Sequence, residues 1–143
     1  MNASIRAANP DDLPSALALL QEAELPTEDL SPEHLALVAE GEAGVLGVIG
    51  IERFGDVALL RSLVVSPGAR AEGIGRKLVA ALELLAVERD TRQLWLLTID
   101  ASDYFSRQGF TVRLRAEVPE PIKNSAEFSS LCPGDAVLMS KEL

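Results

Sequence analysis

Ser62 to Leu78 reads SLVVSPGARAEGIGRKL: an apolar run, a proline turn, and a glycine-punctuated stretch that opens a long amphipathic segment. Glycines at 73 and 75 allow backbone geometry that side chains would block. Successive N–H groups can then aim at one point, and the helix dipole adds roughly half a positive charge there. A pyrophosphate suits such a point, with Arg70 and Arg76 flanking it as donors of charge-assisted hydrogen bonds. Two glycines at this spacing also mark ordinary helix starts, so spacing alone leaves both readings open. The dinucleotide-binding loop of a Rossmann fold would want a third glycine where Leu78 stands, and a P-loop would want Gly-Lys-Ser/Thr, which is absent.

Upstream, Leu35–Ala39, Val45–Ile51 and Ala58–Val65 are apolar runs separated by turns at Gly41–Gly44 and Gly55-Asp56, which reads as an antiparallel meander. Before it, Asn9-Pro10-Asp11-Asp12 starts a helix with a capping residue, a proline and first-turn acids, and Leu13, Ala16, Leu17 and Leu20 form its buried stripe. Pro14 fits only near a first turn, so this helix starts after Pro10 or bends there. Downstream, Gly73 to Arg89 places Ile74, Leu78, Leu82, Leu85 and Ala86 at helical spacing. Leu94–Thr98 reads as a strand, Ala101–Gln108 as a short helix ended by Gly109, and Phe110–Leu114 and Ala136–Ser140 as strands, with a short helix expected around Ile122–Leu131. With one strand preceding the first helix, this order gives a single α/β domain over residues 1–143: a mixed sheet with helices on its faces.

Thirteen Lys and Arg against twenty-two Asp and Glu leave a net charge of −9, which repels phosphate backbones and anionic lipid. Nucleic acid and membranes are therefore poor partners, and an anionic ligand needs a local device such as the cradle above. The single cysteine, Cys132, has no internal disulfide partner, and one thiol with one histidine does not make a common zinc site, so metal-free chemistry is expected. Neither a signal peptide nor a membrane-length apolar run is apparent, and the protein is expected in the cytoplasm.

Arg70-x-x-Gly73-x-Gly75 after Leu63-Val64-Val65-x-Pro67 resembles the acetyl-CoA signature of the GNAT superfamily, and Ala101-x-x-Tyr104-Phe105-x-x-x-Gly109-Phe110 resembles that family's A-x-x-F-Y-x-x-x-G-F segment. The resemblance implies a mixed, mostly antiparallel sheet of six to seven strands, splayed between the fourth and fifth. It implies that the backbone of Leu63, Val64 and Val65 pairs with the pantetheine arm of acetyl-CoA like an added strand. It also implies that Arg70, Ala71, Glu72, Gly73, Ile74, Gly75 and Arg76 surround the pyrophosphate, with Glu72 turned to solvent. Acetyl transfer to an amine needs a neutral amine, an oxyanion donor and a proton for the departing thiolate. The implied oxyanion donor is a backbone N–H at Leu63 or Val64.

The pattern departs from the family at the other two roles. The family's tyrosine position is Phe105 here, and the tyrosine is Tyr104, rotated by about 100° on a helix. Tyr104 is thus either the thiolate's acid or a packed side chain. The family's frequent strand-end Asn is Thr98, whose hydroxyl remains a candidate for the cofactor. The glutamate common early in the fourth strand is Leu59, which leaves Glu52, near Arg61 and Ser62 across the hairpin, as candidate base or as a solvated strand-end acid. His34 and Trp95 read as structural residues.

Ala58-Leu-Leu-Arg61-Ser62-Leu63 and Pro119-x-Pro121-Ile122…Glu127-Phe128-x-x-Leu131-Cys132-Pro133 resemble small GNAT proteins associated with arsenic resistance. Some relatives acetylate glutamate-like amino acids bearing phosphinic or arsinic groups. In that light Arg61, beside Ser62, either clamps an acceptor's carboxylate or oxyanion or pairs with Glu52, and Cys132 is more naturally a space-filling residue than an arsenic site. The expected partner is a small-molecule amine, with a homodimer suggested by family habit. A non-catalytic acetyl-CoA-binding module and a peptide N-acetyltransferase are the rival functions.

Overall fold

In the computed structural model, residues 3–25, 27, 30–125, 128 and 136–143 are described, the side chains of residues 70–72 excepted. Seven strands form one sheet: β1 (Ser4–Ala7), β2 (Leu35–Gly41), β3 (Gly44–Phe54), β4 (Val57–Val65), β5 (Gln93–Thr98), β6 (Thr111–Arg113) and β7 (Val137–Glu142), in the order β1-β2-β3-β4-β5-β7-β6. The helices are α1 (Leu13–Glu22), α2 (Ile74–Glu88), α3 (Ser102–Ser106) and α4 (Glu120–Lys123). All pairings are antiparallel except β4 with β5. The expected mixed sheet is therefore the observed one.

The helix expected from Pro10 begins as a 3-10 turn over Pro10–Asp12, and α1 proper starts at Leu13 with Pro14 in its first turn, where a missing N–H costs little. Asn9 accepts from the Asp11 N–H, and Asp12 accepts from the Asn9 N–H at 2.8 Å. The Asp12 carboxylate also takes two hydrogen bonds from Arg6, at 2.9 and 3.0 Å, which ties β1 to this cap. Part of the helix expected at Ile122–Leu131 is present as α4; Glu127, Leu131, Cys132 and Pro133 lie outside the described residues.

Side chains alternate across the pleat and divide the core in two. On one face, α2 packs Ile74, Leu78, Val79, Leu82 and Ala86 against Ile49, Ile51, Leu60 and Leu96, and α3 adds Phe105. On the other, α1 packs Ala16 and Leu20 against Val38, Val48 and Val64, while Ile122 of α4 covers Leu59, Trp95 and Leu138. The Glu52 and Arg61 positions lie on this second face, in register with Gly50 and Leu59, between the areas covered by α1 and α4.

β4 and β5 stay together only at Val57, Ala58 and Leu59, opposite Gln93, Leu94 and Trp95. Beyond that point β5 continues to pair with β7 as far as Thr98, while β4 runs on to Val65. The sheet therefore opens between its central strands. On its other edge β4 has a bulge: Arg61 pairs with Gly50 and Val64 with Val48, leaving Ser62 and Leu63 opposite Ile49 alone.

Candidate active site

The opening leads directly to the glycine-rich segment. The Ser66 N–H donates to the Leu46 carbonyl at 2.7 Å and the Ala69 N–H to the Ser66 carbonyl at 2.9 Å, so the turn after β4 is pinned at its start. A 3-10 turn over Pro67–Glu72 follows, and Gly73 reverses the backbone at φ 73° before α2 begins. That φ lies in the left-handed region, where a β-carbon is strained. The first amides of α2 have no acceptor within their own helix. The Arg76 guanidinium folds back over Gly73, its Nη2 being 3.9 Å from where a Gly73 β-carbon would sit.

Gly75 has a different reason to be glycine. The Tyr104 hydroxyl occupies the space a β-carbon at 75 would need. Tyr104 is a third exposed and stands edge-on to Phe105 at 5.2 Å, while Phe105 is buried against Phe110 at 5.7 Å. The one-residue shift in the aromatic pair thus sends the phenyl ring into the core and the phenol over the first turn of α2. Thr98, at the end of β5, accepts the Ala101 N–H at 3.1 Å, which fixes the turn carrying Tyr104.

At the bulge, Ser62 sits at φ 58°. A non-glycine residue in that region costs on the order of 1–3 kcal/mol and persists only where its surroundings impose it. The strain falls where the chain turns the Ser62–Leu63 backbone away from β3. Beside it, the Arg61 side chain is fully buried, its Nη1 donating to Glu52 Oε1 at 2.6 Å and its Nε to Ser62 Oγ at 3.2 Å. Glu52, Arg61 and Ser62 are therefore one connected group.

Gly50 and His34, to which the sequence reading gave no functional part, complete this corner. A β-carbon on Gly50 would fall 2.6 Å from the His34 carbonyl and 3.4 Å from Arg61 Cγ, so the absence of a side chain lets the turn Pro32–His34 lie against the strand beside Arg61. A cavity of about 510 Å³ lies between the end of β3, the start of β2 and the C-terminal end of α2, with Glu33, His34, Glu52, Arg53, Leu85 and Arg89 among its walls. Trp95 packs as expected, its Nε1 donating to Gln93 at 3.0 Å. Among the described residues no three His, Cys, Asp or Glu side chains are grouped to hold a metal ion, and no helix is long and apolar enough to cross a membrane.

The family profile described as Acetyltransferase (GNAT) domain matches residues 32–112. N-acetylglutamate synthase from Neisseria gonorrhoeae, complexed with coenzyme A and N-acetyl-glutamate, superposes with a TM-score of 0.85 at 21% identity, over 100% of this chain and 35% of that one. A Mycobacterium tuberculosis protein in complex with CoA and NLQ superposes with a TM-score of 0.82 at 22% identity, over 98% and 99% of the two chains. The PaiA N-acetyltransferase of Thermoplasma acidophilum, in complex with coenzyme A, gives 0.74 at 16% identity over 100% of both. The chain spans about a third of the length of the Neisseria synthase. At these identities the likeness is one of fold. No curated protein matches at the sequence level.

Proposed function

This chain belongs to the GNAT acetyltransferase family and is an acyltransferase, and from that premise we propose that it moves the acetyl group of acetyl-CoA to the amine of a small acceptor, an amino acid of the glutamate type. The observation that carries the reading is the opening between β4 and β5, flanked by the Ser62 bulge and ending at the glycine-led start of α2. Acetyl-CoA supplies an activated acetyl group. The β4 edge from Leu63 to Val65 offers backbone groups to an extended pantetheine, and the amides of Gly73 to Arg76 offer donors to the pyrophosphate.

The fit rests on two features of this chain: left-handed Gly73 leaves the space before α2 open with Arg76 folded over it, and side-chain-free Gly75 leaves room for the Tyr104 hydroxyl beside those amides. In this reading Arg70 and Arg76 supply positive charge, with Ala71, Glu72 and Ile74 completing the loop. The Leu63 N–H at the bulge stabilises the oxyanion. Tyr104 and Thr98 belong to the cofactor side with Phe105 behind them, and the contact between Tyr104 and Gly75 favours a cofactor-positioning phenol over a thiolate acid. Arg61, being buried and paired, orients Glu52 and Ser62, and Glu52 presents its carboxylate to the acceptor.

The glutamate-type acceptor draws on the Neisseria complex with N-acetyl-glutamate and on the likeness to arsenic-resistance proteins, which extends the class to phosphinic and arsinic amino acids. The reaction is taken to be cytoplasmic, and a homodimer is the expected assembly. The test is a panel of amino acids, polyamines and phosphinic or arsinic amino acids incubated with acetyl-CoA, followed by thiol release. Turnover confined to amino acids supports the reading, and peptide acetylation overturns the small-molecule acceptor. The Glu52–Arg61 pair, which occupies a candidate base, favours one rival: a non-catalytic acetyl-CoA-binding module. Coenzyme A binding without thiol release from any amine would establish that rival.

A further inference from the structure

Alternation along β7 puts Met139 into the core beneath α2 and, two residues on, Lys141 onto the same face, where an apolar side chain would be expected. The lysine stands opposite Leu94 of β5, and its side chain is only 26% exposed. An ammonium has three protons to place, and here the acceptors come from two different elements. Nζ donates to both carboxylate oxygens of Glu83 on α2 at 3.0 Å and to the Gln108 carbonyl, just past the end of α3, at 2.8 Å.

Gly109 and Phe110, which close the aromatic motif, are shaped to this side chain. Gly109 sits at φ 97°, and a β-carbon there would fall 3.1 Å from Lys141 Cε and 3.3 Å from Nζ. The Phe110 ring faces the ammonium at 5.9 Å, stands edge-on to Phe105, and Phe105 stands edge-on to Tyr104. The backbone of α3 and a run of three rings thus both join Lys141 to the phenol. The phenol meets α2 at Gly75, and Glu83 stands about two turns further along the same helix face. α3 is therefore fastened to α2 at two points, by the Tyr104 hydroxyl at the start of α2 and by the lysine away from it.

We propose that Lys141 is a positioning residue of the cofactor side: by bridging Glu83 and the Gln108 carbonyl it fixes α3 on α2, and so holds the Tyr104 hydroxyl at the first turn of α2, where coenzyme A binds. The proposal rests on the acetyltransferase reading above and adds to it a residue that touches neither cofactor nor acceptor. Without the ammonium, Glu83 and the Gln108 carbonyl lose their common partner. α3 is then free to shift on α2, and the phenol moves with it.

Lys141→Met keeps a stem of similar length and removes the charge. The chain has one tyrosine, so its ring proton signals belong to Tyr104 alone, and they are expected to shift in the variant before any ligand is added. Calorimetric titration of coenzyme A into wild type, Lys141→Met, Tyr104→Phe and the double variant gives the second readout. Each single substitution is expected to weaken binding about fivefold and the double variant by about the same, whereas independent substitutions would multiply to about 25-fold. Should Lys141→Met fail to fold, Glu83→Ala, which breaks the α2 side of the clamp alone, takes its place in both measurements. Tyrosine signals that stay where they are, an unchanged affinity, or losses that multiply overturn the proposal, because a lysine that only stabilises the fold moves neither the ring nor the coupling. Wild-type protein that binds no coenzyme A defeats the acetyltransferase reading instead, and the tyrosine signals alone then decide whether the clamp positions the phenol.

Discussion

The hydroxyl of Tyr104 stands where residue 75 would carry its β-carbon, so the phenol and the first turn of α2 share one surface. In the proposed function, that contact lets a displaced tyrosine serve the cofactor side. Tyr104→Phe should therefore raise the KM for acetyl-CoA several-fold and change kcat by less than about tenfold, a split that steady-state kinetics reads directly. A fall of about 100-fold or more in kcat at unchanged KM would make the phenol the thiolate's acid.

Substituting the two cradle glycines should separate stability from binding. Gly73→Ala forces a β-carbon into the left-handed region, at a cost of about 1 kcal/mol or more, seen as a lower Tm. Gly75→Ala meets only the end of a partly exposed side chain, so Tm should move little while coenzyme A affinity falls.

The Glu52–Arg61 pair should be worth more to the fold than a surface ion pair. Glu52→Ala leaves the Arg61 charge buried without the carboxylate that lies 2.6 Å from it, and breaking such pairs costs about 3–5 kcal/mol. Replacing both, as Glu52→Leu with Arg61→Met, should recover much of that loss in denaturant unfolding, because the buried charge is then removed with its carboxylate. Activity should not return with stability.

Acid should weaken the N-terminal cap. Hydrogen bonding from Arg6 chiefly holds the Asp12 carboxyl below its ordinary range, burial opposing it and the Asn9 N–H assisting. A group depressed in the folded state contributes fully above its unfolded pKa, about 3.9, and the contribution is lost as pH falls from there through the lower folded value. Unfolding measured from pH 5 to pH 2 should steepen accordingly, and Asp12→Asn should remove that component.

Much of the fold was legible because pattern and punctuation agree: a short apolar run in Val45–Ile51, helical spacing from Ile74 to Ala86, and glycine or proline between. The parting of β4 from β5 came from family resemblance, since nothing in Leu60 to Val65 says which neighbour a strand loses. The bulge was hidden because Ser62, unlike glycine, carries no signature of a positive φ. The nearness of Glu52 to Arg61 followed from the hairpin, whereas the complete burial of the guanidinium is a tertiary feature that the hairpin does not show. The packing of the His34 carbonyl against β3 was not legible, because it depends on Gly50, remote in sequence and significant here for the side chain it lacks.

Calorimetric titration of coenzyme A into the wild-type chain and into Gly75→Val tests the central claim most directly. The account predicts saturable binding to one site per chain, weakened at least tenfold when the valine displaces the Tyr104 hydroxyl beside the α2 amides. No heat from the wild-type protein, or equal affinity in the two, would contradict it.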